Sequence, residues 1–181
     1  MSQLIIETLR KATTFLEKAG IDYMLIGGYA LPFYGELRTT LDIDIGVAIK
    51  IEKEFDNFLI SAEKSGFIPQ ICSFLNPECI FLDDDTGLEI EFWIRLDGID
   101  WDEETIKRRQ RHTINGIEVW VISPEDFIVN KLARPDRSIQ DEKDVKSVLV
   151  RLHNDLDQEY LERRAEKARV LSTLRRIDEI E

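Results

Sequence analysis

The stretch Tyr23-Met24-Leu25-Ile26-Gly27-Gly28, followed after thirteen residues by Asp42-Ile43-Asp44-Ile45, decides how the rest of the chain is read. Four apolar residues running into two glycines predict a short buried strand that stops at a tight bend. Tyr29 to Tyr34 predicts a short helix, with Pro32 tolerated only near its first turn. Leu41 to Ile49 alternates, Leu41, Ile43 and Ile45 on one face and Asp42 and Asp44 on the other. That is the period of a strand carrying two carboxylates on one side.

Outward from this centre, Leu4 to Lys18 has the apolar spacing of a helix, with Gly20 as its stop. Glu52 to Lys64 returns to helical period. Cys79 to Leu82 and Leu88 to Ile94 read as strands joined by a turn at Asp83-Asp84-Asp85-Thr86-Gly87. A helix is expected at Asp102 to Gln110, and a hairpin at His112 to Val121 around Asn115-Gly116. Ser123-Pro124-Glu125-Asp126 has the form of a helix start, with a capping hydroxyl, a proline at the first position and an acid at the third. That helix runs toward Lys131, and two more are expected at Gln140 to Leu152 and Asp155 to Ile177. The order predicts an α+β (α/β) fold, a mixed β-sheet flanked by helices with a helical C-terminal part. The division expected is a core over 1–122 and a helical region over 123–181.

The 181 residues carry 24 basic and 36 acidic groups, a formal charge of −12. Residues 1–104 hold 8 basic and 21 acidic groups, and the remainder 16 and 15. An acidic N-terminal half argues against sequence-independent binding to a phosphate backbone and suits a site that collects divalent cations. There is no apolar run of the ~18 residues a membrane span needs, and no secretory pattern, so a cytoplasmic protein is expected. Two cysteines, Cys72 and Cys79, lack CxxC spacing and are expected as free thiols in a reducing compartment. The apolar stripe from Leu156 to Ile177 suits packing on the domain or pairing with a second copy, so a homodimer is an open expectation.

The glycines and acids make chemical sense together. A diglycine between strand and helix lets a backbone approach a ligand closely, and the helix's opening N–H groups favour phosphate. Asp42 and Asp44, with Cα atoms about 6.5 Å apart on a strand, can converge on two divalent ions. A further acid comes from Gly87-Leu88-Glu89-Ile90-Glu91-Phe92, where Glu89 and Glu91 share a face. A phosphate cradle beside three carboxylates points to metal-assisted phosphoryl or nucleotidyl transfer, with a metal-dependent phosphohydrolase as a weaker alternative.

Ile26-Gly27-Gly28, Asp42-Ile43-Asp44-Ile45 and the later acidic strand resemble the polymerase-beta-like nucleotidyltransferase superfamily. Arg38-Thr39-Thr40, Ser123-Pro124-Glu125-Asp126 with Lys131, and Asp141 with Asp144 are similar to its AbiEii-type, minimal nucleotidyltransferase branch. The resemblance implies transfer of an NMP from an NTP such as ATP to an acceptor hydroxyl, releasing pyrophosphate. By position it assigns Asp42, Asp44 and Glu91 to catalysis and to two Mg²⁺ ions, with Glu89 the alternative third acid. It assigns Gly27, Gly28, Arg38 and Lys131 to the nucleotide. The family more often has Asp at position 91, and many relatives have Ser at position 28. The branch acts on tRNA, protein or small-molecule acceptors. It also implies a second reading, a catalytically weak binding or regulatory protein such as one half of a toxin–antitoxin pair with an antitoxin partner.

Overall fold

The computed structural model describes residues 2–179. In chain order these form α1 (Gln3–Ala19), β1 (Tyr23–Leu25), α2 (Gly27–Tyr34), β2 (Ile43–Val47), α3 (Glu52–Lys64), β3 (Phe67–Ile71), β4 (Glu78–Asp83) and β5 (Glu89–Trp93). There follow α4 (Glu103–Arg108), β6 (Gln110–Ile114), β7 (Ile117–Val121), α5 (Pro124–Ala133), α6 (Ile139–Leu152), α7 (Gln158–Lys167) and α8 (Leu171–Asp178). The fold is α+β. The chain forms two compact units, each of three segments. One holds the chain up to Leu25, Leu41–Arg95 and Arg111–Val121; the other holds Ile26–Thr40, Leu96–Gln110 and the chain from Ile122. No helix among the described residues is long and apolar enough to cross a membrane.

The first unit is a seven-stranded mixed sheet in the order β3-β4-β5-β2-β1-β7-β6. β2 runs parallel to β5 and antiparallel to β1, and β1 runs parallel to β7. Alternation sorts the side chains. Ile43, Ile45, Ile90 and Phe92 are buried, while Asp44, Glu91 and Trp93 alternate with them along the same strands. The buried side is an aromatic cluster in which Phe15 of α1 and Phe58 of α3 meet Phe67, Phe81 and Phe92 of the sheet. Ring centroids there lie 5.3–6.0 Å apart, mostly tilted or edge-on, the arrangement favoured by the ring quadrupoles. The strand–glycine–acid reading therefore becomes one sheet face of hydrocarbon and another of carboxylates.

The second unit is helical. α5 packs on α6 and α7, α2 on α5 and α6, and α8 on α6 and α7. Its buried side chains include Phe127, Ile128, Leu132, Val145, Leu149, Leu161 and Leu174. Ser123 caps α5 by accepting from the Asp126 N–H, with Pro124 at the first position as expected. Tyr34 donates to the Ile122 carbonyl at 2.7 Å, fastening the end of α2 to the start of α5.

Four readings are corrected. The glycines do not precede a helix: Gly27 and Gly28 form its opening turn, and Pro32 lies inside it. β2 is five residues long, so Asp42 stands just ahead of the strand. The single helix expected from Asp155 to Ile177 is two, because Arg169 takes a left-handed φ of 61°. There the Val170 and Arg169 N–H groups donate back to Ala165 and Glu166, closing α7. Finally, Cys72 and Cys79 are joined in a disulfide, not free. β3 and its irregular pairing with β4 between Pro69 and Ile71 bring their Cα atoms to 4.5 Å.

Candidate active site

β2 and β5 build the acidic face of the sheet. Asp44 is the register partner of Glu91 across a parallel pair, so both carboxyl groups leave the same side of neighbouring strands. Both are half-buried, and Asp42 is exposed. Burial, then the Asp44 charge and a hydrogen bond with Asp44, then the Asp42 charge push the Glu91 carboxyl up to about 7. Trp93, two residues along β5, donates its indole N–H to Asp44 Oδ1 at 3.3 Å. Glu89 shares the face but is exposed and lies opposite Leu82. Asp42 and Asp44 thus lie within electrostatic reach of Glu91, and these facing acids have mutual repulsion to relieve.

A second acidic trio lies in the same unit. Asp83, Asp84 and Asp85 have carboxylate oxygens within 4.8 Å of one another. Among the described residues this is the group of that tightness; Asp42, Asp44 and Glu91 are more openly set. Its centre is already filled. Lys11 Nζ lies 2.7, 2.5 and 2.7 Å from Asp83, Asp84 and Asp85. Thr8 donates to Asp83 at 2.7 Å. Burial alone would raise the Asp83 carboxyl, but Lys11 and Thr8 hold it below its ordinary value.

The remaining sequence-predicted residues belong to the helical unit. Gly27 takes a left-handed φ of 62° and α2 has no capping side chain, so its opening N–H groups lack the usual side-chain acceptor. A Cβ on Gly28 would lie 2.6 Å from both Cβ and Oγ1 of Thr40, so a side chain there would collide. Thr40 is held in turn by Tyr29, whose hydroxyl donates to its carbonyl at 3.1 Å. Lys131, assigned by the resemblance to the nucleotide, is 4% exposed. Its ammonium lies 2.8 Å from Asp141 and 3.3 Å from Asp144. Arg38 pairs with Asp144 as well, Nε at 3.1 Å and Nη2 at 3.1 Å, so one carboxylate holds both cations. Burial would raise Asp141, yet Lys131 and the Ser138 cap hold it at about 2.

The basic run Lys107 to Arg111 makes no shared patch. Lys107 pairs with Glu103, Arg108 with Asp157 and Arg111 with Glu17. Sequence reading missed Trp93 and Lys11 as partners of the acids. The signal for Trp93 was its place two residues after Glu91 on an alternating strand; Lys11 carried none, since its partners lie some seventy residues away.

The sequence matches a family described as "Nucleotidyl transferase of unknown function (DUF2204)" over residues 5–175. No curated protein matches it. Among solved structures, the antibiotic-resistance factor ANT(2'')-Ia in solution superposes with a TM-score of 0.60 at 16% identity, covering 97% of this chain and 93% of that one. An antigenic nucleotidyltransferase-like protein from Paracoccidioides brasiliensis gives 0.55 at 17% identity, covering 98% and 94%. The lincosamide antibiotic adenylyltransferase LnuA, lincomycin-bound, gives 0.53 at 13% identity, covering 82% and 96%. These likenesses establish a shared fold.

Proposed function

The chain belongs to the DUF2204 nucleotidyl transferase family, and on that premise we propose that it moves an NMP from an NTP to an acceptor hydroxyl, releasing pyrophosphate, with Asp42, Asp44 and Glu91 carrying the reaction. The observation that carries this reading is the Asp44–Glu91 pair, two carboxyl groups opposed on one sheet face with Asp42 beside them. The donor set fits Mg²⁺, which takes hard anionic oxygens and completes its shell with substrate phosphates. Three carboxylates on neighbouring segments suit two ions shared between them. Bound there, the metal would neutralise charge on the transferring phosphoryl group and the leaving pyrophosphate.

The chain's own groups do the rest. Asp42 and Asp44 hold negative charge on a rigid strand and the residues leading into it. Glu91, lifted toward neutrality in pH by its neighbours, is placed to take the acceptor's proton as a general base. In the helical unit, Gly27 and Gly28 present uncapped backbone N–H groups suited to phosphate. In the same unit Arg38 offers a cationic contact to the nucleotide, and Lys131, buried between Asp141 and Asp144, acts on it by holding the Asp144 carboxylate that orients Arg38.

The test is incubation with each α-labelled NTP and Mg²⁺ against aminoglycoside and lincosamide antibiotics, whole-cell RNA and whole-cell protein. Transfer of label to one acceptor class is expected. Asp42→Asn and Asp44→Asn should each reduce it by about 10³-fold or more with the circular dichroism spectrum unchanged. Full transfer by either variant overturns the assignment, and no transfer by the wild type to any acceptor favours the binding-protein reading.

A further inference from the structure

We propose that Trp93 is a positioning residue for the Asp44–Glu91 pair, its indole N–H holding the two facing carboxyl groups in the arrangement that takes up a divalent cation. The proposal rests on the reading above in identifying that cation with the one transfer requires.

Three observations converge. The indole N–H donates to Asp44 Oδ1 at 3.3 Å and stands near enough to Glu91 to favour its charged form. Glu91 and Trp93 are two apart on β5, so strand alternation sends both side chains off the same face. The residue opposite Trp93 on β2 is Gly46, which has no side chain. The ring can therefore lie across β2 and reach Asp44, its diagonal neighbour.

The chemistry follows from what an indole can do. Its N–H donates and never accepts, so it favours the charged form of a carboxylate and occupies one oxygen. A donor fixed on Oδ1 sets the plane of the Asp44 carboxylate. The same donor draws Glu91 toward Asp44 against the repulsion between them. Without it the Asp44 carboxylate would be free to rotate, and a cation would have to reorient it. Outer donors of this kind typically change metal affinity about 10- to 100-fold.

The experiment is Mn²⁺ titration, read by electron paramagnetic resonance of the free ion, on the full chain and two variants. Trp93→Phe removes the N–H and shortens the ring system. Trp93→3-benzothienylalanine keeps the ring shape and replaces only the N–H by sulfur. Both should bind Mn²⁺ about tenfold more weakly than the wild type. Their melting temperatures should stay within a few degrees of wild type, because Trp93 is half-buried outside the phenylalanine cluster. Wild-type affinity in the benzothienyl variant overturns the proposal, since ring packing alone would then suffice. A wild type that binds Mn²⁺ but transfers no nucleotide removes the catalytic reading and leaves the role of Trp93 standing. A wild type that binds no Mn²⁺ overturns both.

Discussion

Two acidic trios lie in one sheet unit and have opposite electrostatic fates. Asp83, Asp84 and Asp85 are packed more tightly, yet Lys11 stands at their centre and Asp83 is held below its ordinary range. Asp42, Asp44 and Glu91 are looser, with Glu91 pushed up to about 7 by burial and by its neighbours. The lesson is that closeness of carboxylates is a poor guide to a cation site. What counts is whether the fold has already supplied the cation. A trio whose centre a lysine already fills is no candidate for metal chemistry, however close its oxygens.

The largest expected change is in the looser trio, where Glu91→Gln should lower transfer about 10²-fold or more, the scale of several kcal/mol of charge stabilisation. Glu89→Gln, on the same face but opposite Leu82, should stay within about threefold. Equal losses in label-transfer assays would mean that the third acid had been misassigned.

Next comes Lys11→Met. It leaves buried Asp83 without its partner and should cost about 2–4 kcal/mol of stability by denaturant titration, with Mn²⁺ affinity at the other trio unchanged. Added Ca²⁺ should restore part of that stability in the variant and none in the wild type, because removing the lysine creates the cation vacancy.

The smallest effect is the pH dependence of that difference. A carboxylate with a depressed folded pKa contributes stability above its ordinary value, near 3.8 for Asp83, and loses it as pH falls. Asp141, held at about 2, behaves likewise. The wild type should therefore lose melting temperature as pH falls from about 4 to 2. Lys11→Met removes the largest of the contacts that lower Asp83 and leaves those from Thr8, Thr86 and the Asp85 N–H, so the variant should lose less stability on acidification and its deficit should narrow. A gap between the two melting curves that is constant across this range would show that Lys11 acts through packing instead.

How much of this was legible depended on whether the information was local. Gly20 and Arg169 both close helices with a left-handed residue and two backward N–H bonds. The first was readable because glycine adopts that conformation freely; the second was not, because arginine ordinarily does not. Asn115-Gly116 announced its hairpin, both residues taking positive φ. β3 was missed because Pro69 argues against a strand except at an edge, and β3 is the edge. In the candidate site the acid pattern and the Glu91 side of the strand were local signals. The burial of Lys131, its two carboxylate partners and the lysine inside Asp83–Asp85 depend on long-range packing that spacing does not encode.

The chain's three-segment threading has a consequence for its biogenesis. The sheet lacks its last strand until Val121 has been synthesised, and α2, made among the first elements, waits for α5 and α6 to pack against it. An early-emerging nascent chain therefore exposes Leu31 and Tyr34, buried in the finished protein, through most of translation. Neither half can be shed by a single cut, and truncation from the C-terminus strips the partners of a helix laid down near the start.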